Sequence, residues 1–163
     1  FWKKLGYRPC GRGIDISQEN IKKAKEINLK NQNVTFECLD WKDLDETSYD
    51  IIYSSGVYHF FNLKERNKFI SKIKKILKPK GYFILNTLSS RDKQYYEKGV
   101  PVKMDPNSFE TEKYFLHFSS EEELRKSFSF LKIYKIFKYF VKVLVFQSRK
   151  SFVYIFKLLI FTI

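Results

Sequence analysis

The sequence predicts an α/β fold built on a doubly wound, mostly parallel sheet. Short apolar runs recur at 13–16, 34–39, 49–55 and 82–86, separated by segments with apolar residues at helical spacing. Helix-capping residues stand at the starts of those helical segments. Each apolar run ends in an acid or in small polar residues. Strands that alternate with helices are joined by crossovers, which give a parallel sheet covered on both faces.

The 163 residues make a single domain, 1–163, the default division, with enough chain to bury one core. Residues 1–6 read as the end of a helix stopped at Gly6. Gly13-Ile14-Asp15-Ile16 is a short strand with an acid near its end. Ser17 caps a helix over 17–30, and Glu19 stands in its first turn, where the helix dipole favours an anion. Residues 34–39 alternate as a half-buried strand that Asp40 ends. Tyr49-Asp50-Ile51-Ile52-Tyr53-Ser54-Ser55 is a strand closing in small polar residues and Gly56.

Asn62 with Glu65 forms a capping pair, and the helix behind it carries Phe69, Ile70, Ile73, Ile76 and Leu77 on one face. Lys78-Pro79-Lys80-Gly81 breaks that helix ahead of a strand at 82–86. Residues 88–116 form a long polar stretch, of the length of a functional loop or of a segment with short elements of its own. Ser119-Ser120-Glu121-Glu122-Glu123 opens another helix, residues 131–137 alternate as a strand, and 152–160 make the last one.

Formal net charge is +13, from 31 Lys+Arg against 18 Asp+Glu. Such a balance favours nucleic acid or an anionic membrane surface. The lysines, however, are spread along the chain, and Ala24 is the only alanine while Lys, Ile, Phe, Tyr and Asn abound. A coding bias toward AT-rich codons yields that composition without a selected ligand. Hydrophobic residues at 44% exclude a disordered chain. Cys10 and Cys38 stand alone, with neither metal spacing nor a disulfide framework, so no metal and a reducing, cytoplasmic setting are expected.

Residues 137–163 are rich in Phe, Val, Ile and Leu, but Lys138, Lys142, Arg149, Lys150 and Lys157 interrupt them. No run approaches the roughly 20 residues of a spanning helix. A pair of buried strands is expected there in place of a transmembrane segment, with an interfacial segment as the alternative. The sole methionine is Met104 and the chain opens on Phe1-Trp2, so it reads as a fragment that starts inside an element.

Ligands of open parallel sheets bind outside the carboxyl ends of the strands. That rule selects Asp15-Ile16, Leu39-Asp40-Trp41, Ser54-Ser55-Gly56 and Asn86-Thr87. A carboxylate at Asp15 can accept both hydroxyls of a ribose diol, and one at Asp40 can accept the exocyclic amine of an adenine. Ile16 and Trp41 could clamp the ring. Taken singly, Asp15 could equally cap the next helix, Asp40 could begin a turn, and Trp41 could be ordinary core.

Gly13-Ile14-Asp15-Ile16-Ser17, Leu39-Asp40, the run from Tyr49 through Ser55-Gly56-Val57-Tyr58-His59-Phe60, and Ile76-Leu77-Lys78-Pro79-Lys80-Gly81-Tyr82 resemble, in order and spacing, the middle and end of class I S-adenosylmethionine-dependent methyltransferases. Ser89-Ser90-Arg91-Asp92, Tyr96 with Gly99, Ser108-Phe109 and His117-Phe118 resemble a small-molecule branch of those proteins. The resemblance implies a Rossmann-like fold, S-adenosylmethionine as cofactor and methyl transfer to a small-molecule acceptor. It implies a cofactor site at Asp15, Ile16, Leu39, Asp40, Trp41, Ser55 and Gly56, and an acceptor pocket at Tyr58, His59 and Phe60. His59 is the candidate general base.

The family's first strand and its Gly-x-Gly loop have no counterpart in these residues, so weak cofactor affinity is expected of this chain. The family usually carries Gly-Gly where Lys80-Gly81 stands. The rival readings are an inactive methyltransferase remnant, a basic RNA-binding or RNA-modifying module whose Tyr and Phe stack bases, and a nicotinamide-dinucleotide enzyme, which also uses an acid after its second strand.

Overall fold

A computed structural model describes residues 10–30, 32–45, 48–92, 96–144 and 151–162. The chain divides into two compact units, Phe1–Glu46 and Thr47–Ile163.

The first unit is a parallel βαβ crossover. Strand β1 (Gly11–Asp15) pairs in register with β2 (Val34–Cys38), Gly13 opposite Phe36 and Asp15 opposite Cys38. Helix α1 (Gln18–Ile27) links them, and the Ser17 side chain accepts the Asn20 N–H at its start. Ile21 is the buried residue of that helix. A Cβ on Gly13 would lie 2.7 Å from the Phe36 ring, so the absence of a side chain lets that ring lie across β1. β1 begins two residues earlier than the expected strand at 13–16. The helix end expected at residues 1–6 lies outside the described residues.

The second unit holds a four-stranded sheet in the order β3-β4-β9-β8. β3 (Tyr49–Ser55) runs parallel to β4 (Leu77–Leu88), and β9 (Ser151–Thr162) lies antiparallel between β4 and β8 (Lys132–Leu144). Helix α2 (Leu63–Ile76) opens with a complete capping box between Asn62 and Glu65. It buries Phe69, Ile73 and Ile76. Phe128, just past helix α3 (Glu121–Ser127), joins them to the sheet: its ring lies 5.3 Å from Phe83 and 5.9 Å from Tyr58. Burying such aromatics supplies most of the drive that holds helices on a sheet.

The polar stretch 88–116 has a structure of its own. β5 (Val100–Pro101), β6 (Ser108–Glu110) and β7 (Phe115–His117) form a three-stranded antiparallel sheet. Leu88, Phe109 and Phe118 make a small core beneath it, with Tyr96 packed against them. Tyr96, Phe109 and Phe118, from the segments that resemble a family branch, pack in this core. Gly99, at φ 137°, leaves no room for a Cβ, which would lie 2.6 Å from the Glu110 carbonyl oxygen.

Two expectations need correction. The parallel strands were expected in one sheet, but they pair as β1-β2 and as β3-β4 within separate sheets. No described strand is hydrogen-bonded across the two pairs. Lys78-Pro79-Lys80-Gly81 ends α2 as expected but does not delay the strand. Leu77 pairs with Tyr49 and Tyr82 with Ile51, so the four residues between them bulge out of β4. Lys80 holds φ at 63°, which explains a preference for glycine there. A Cβ on Gly81 would meet the Lys78 carbonyl oxygen at 2.8 Å and that of Asp50 at 3.0 Å. The strand expected at 152–160, antiparallel to its neighbours, is β9.

Candidate functional site

In the first unit, the hydrogen-bond ladder ends with the Leu39 N–H donating to the Asp15 carbonyl at 3.0 Å. Asp15 is thus the last residue of β1, and Asp40 stands two residues past the end of the adjacent parallel strand β2. Asp15 Oδ1 accepts the Ser17 N–H at 2.7 Å and Oδ2 accepts Asn20 Nδ2 at 3.2 Å. Asp40 Oδ1 accepts the Lys42 N–H at 3.0 Å and opens a 3-10 turn, Trp41–Asp43. The turn role weighed for Asp40 is therefore real, whereas Asp15 bonds the cap residue Ser17 and does not itself cap the helix. Ile16, beside Asp15, is 75% exposed. The Lys42 ammonium lies 5.7 Å from the centroid of the Trp41 indole.

In the second unit, β3 ends in buried Ser54 and exposed Ser55. Gly56 then turns at φ 67° with open space where a Cβ would stand, so backbone conformation is what calls for glycine. The 3-10 turn Tyr58–Phe60 follows. Its three residues divide sharply. Tyr58 is fully buried among aromatic rings, and burial raises its phenol pKa. His59 is buried, with its ring 4.3 Å from that of half-exposed Phe60. Burial first, and His117 second, push the His59 pKa down to about 4. The His59 Nδ1 has no hydrogen-bond partner among the described residues.

A buried charged network lies behind this turn. Arg66, 3% exposed, binds both carboxylate oxygens of Asp105 and donates to the Phe61 carbonyl at 2.8 Å. His117 Nδ1 is 2.9 Å from Ser108 Oγ, and its Nε2 is 2.8 Å from Glu123 Oε1. Arg66 Nε stands 4.0 Å from the same Glu123 oxygen. Sequence reasoning missed Arg66 and Asp105. One signal was present: Arg66 shares its helix face with Phe69 and Ile73, and a cation on an apolar stripe needs a buried partner. No group of three or more metal-ligating side chains is found among the described residues.

A family model described as a methyltransferase domain matches residues 8–138. The chain is 30% identical over 87 residues to a phosphoethanolamine N-methyltransferase of Plasmodium falciparum, covering 52% of this chain and 33% of that one. It is 32% identical over 79 residues to a cyclopropane-fatty-acyl-phospholipid synthase of Escherichia coli, covering 48% and 20% respectively. The chain therefore spans a third or less of the curated relatives it matches. A solved SAM-dependent methyltransferase from Methanosarcina mazei has a TM-score of 0.73 at 18% identity, covering 93% of this chain and 81% of that one. The N-methyltransferase NodS of Bradyrhizobium japonicum, with S-adenosylhomocysteine bound, has a TM-score of 0.63 at 12% identity, covering 93% and 65%.

These likenesses define a Rossmann-like α/β fold carrying a methyltransferase domain. The chain belongs to the class I S-adenosylmethionine-dependent methyltransferase family, whose cofactor is S-adenosylmethionine.

The residues of the first unit fit the adenosine of that cofactor. A carboxylate offers about four acceptor positions. Asp15 uses one on each oxygen internally, which leaves capacity for two ribose hydroxyls. The same internal bonds hold the carboxylate in place. Exposed Ile16 offers an uncovered apolar side chain for a flat ring.

Proposed function

We propose that this protein transfers the methyl group of S-adenosylmethionine to a small-molecule acceptor. The observation that carries the reading is the pair of acids, Asp15 and Asp40, at the carboxyl ends of adjacent parallel strands. Asp15 accepts the ribose hydroxyls, Asp40 accepts the adenine amine, and Ile16, Leu39 and Trp41 cover the ring. The family resemblance assigns Ser55 and Gly56 to the cofactor and the turn Tyr58–Phe60 to the acceptor. Phosphoethanolamine in the name of one relative supports a small acceptor.

The cofactor supplies a methyl group already activated on a sulfonium. The protein's own contribution is positioning for in-line attack, an effect that does not need a strong base. His59, held neutral by burial, suits hydrogen bonding to the acceptor better than proton abstraction near neutral pH. Calorimetry with S-adenosylmethionine tests the reading on the 163-residue chain. Asp15→Ala should cost about 1.5–3 kcal/mol of binding, the worth of hydrogen bonds to a charged group. Binding indifferent to Asp15→Ala and Asp40→Ala would remove the assignment.

A further inference from the structure

The turn that joins β5 to β6 presents an apolar side chain under strain. Met104 is 91% exposed, and its φ is 65°, a conformation that costs a non-glycine residue energy. Asn107, three residues on, holds φ at 62°. The turn is held by what lies inside it. Asp105 is buried, accepts the Leu63 N–H at 3.1 Å and binds Arg66. Met104 is thereby carried to the first turn of α2, where Leu63 is 45% exposed and Phe60, just before it, is 50% exposed. In residues 57–65 and 100–106 the exposed charged side chains are Lys64 and Lys103; Asp105 is buried, and Glu65 is half-buried in the capping box. The face therefore offers three apolar side chains with two exposed lysines next to them in sequence.

We propose that this face docks on an anionic lipid surface. The charge complements acidic headgroups, and the apolar side chains reach beneath them. Nucleic acid fits less well. Leu63 and Met104 cannot stack a base, and the cations are lysines without the planar fork of arginine. The face borders the acceptor turn through Phe60, but its test uses neither cofactor nor acceptor and changes no residue of that turn.

The test is co-sedimentation of the protein with phosphatidylcholine vesicles that contain or lack phosphatidylglycerol. Binding is expected to the anionic vesicles. Met104→Asn combined with Leu63→Gln should lower it roughly tenfold, the worth of withdrawing such side chains from an apolar phase. Asn tolerates the left-handed backbone, so the melting temperature should hold or rise. Lys64→Glu with Lys103→Glu should weaken binding and flatten its dependence on phosphatidylglycerol.

Lys80→Asn is the control. It removes one charge from a strained, exposed position on the β4 bulge and should change vesicle binding less than about twofold. Three outcomes would overturn the proposal. Vesicle binding unmoved by the Met104 and Leu63 changes would assign it to net charge alone. Loss of binding to a single-stranded RNA through the same changes would assign the face to nucleic acid. Loss of self-association in the ultracentrifuge would assign it to a second copy of the chain.

Discussion

His59 occupies a position where one proton is costly. Its imidazole titrates near pH 4 in the folded protein, against about 6.5 when free, because burial disfavours the cation and His117 lies nearby. The folded-state value is depressed, so the unfolded chain takes up the extra proton first. Its contribution to stability is fully present above about pH 6.5 and is lost as pH falls toward 4. The linked loss is about 3 kcal/mol, from a shift of roughly two and a half units. Denaturant titrations at pH 7 and pH 4.5 should show it, and His59→Gln should flatten the acid slope. Equal acid slopes in both proteins would remove His59 as the cause. None of this was legible in the sequence. Asp15 and Asp40 could be placed because strand ends are local. The burial of His59 comes from tertiary packing, which also brings distant His117 within electrostatic reach.

At the scale of elements, α2 and the β5–β6 turn are joined by charge. Arg66 and Asp105 are both nearly inaccessible, and each is left buried if the other is removed. Asp105→Ala should therefore cost about 3–5 kcal/mol, whereas Arg66→Met with Asp105→Leu should cost much less, because the double change removes both fully buried charges and Glu123 keeps its solvent exposure. Thermal or denaturant melts of the two variants decide it. A double variant as unstable as the single one would show that packing, and not charge, governs the joint. The helices were legible because capping and periodicity are written within a dozen residues, as at Asn62 and Glu65 or at Ser120. The three-stranded sheet was not. Its strands are two or three residues long, too short for alternation to register, and its core depends on Tyr96, Phe109 and Phe118 meeting across a wide span.

Across the whole molecule, the α/β class and the family could be read because several strand ends, turns and helix caps fall in one order. Strand partnership was harder. The parallel strands were each identified, yet which of them pair depends on contacts that no local pattern encodes, and they pair as β1-β2 and β3-β4. In the second unit the pairing has a sharp consequence for stability. β9 is bonded to β4 on one side and β8 on the other. Removing residues 151–162 deprives both neighbours of a partner at once. That truncation is expected to abolish the cooperative melt followed by circular dichroism. A truncated protein that still melts cooperatively would show that the sheet's integrity does not depend on β9.

The same insertion sets a clock on biosynthesis. The ribosome releases β4 long before β9, and at about 5–20 residues per second the interval is on the order of several seconds. Throughout it, the edge of β4 between Tyr82 and Leu88 waits with its amides and carbonyls unclaimed, beside the aliphatic Ile84 and Leu85. An uncovered strand edge is a template for any neighbouring chain. The nascent protein therefore depends on whatever shields that edge until the last dozen described residues arrive, and its yield in a cell is decided by the crowd around the ribosome as much as by the stability of the finished fold.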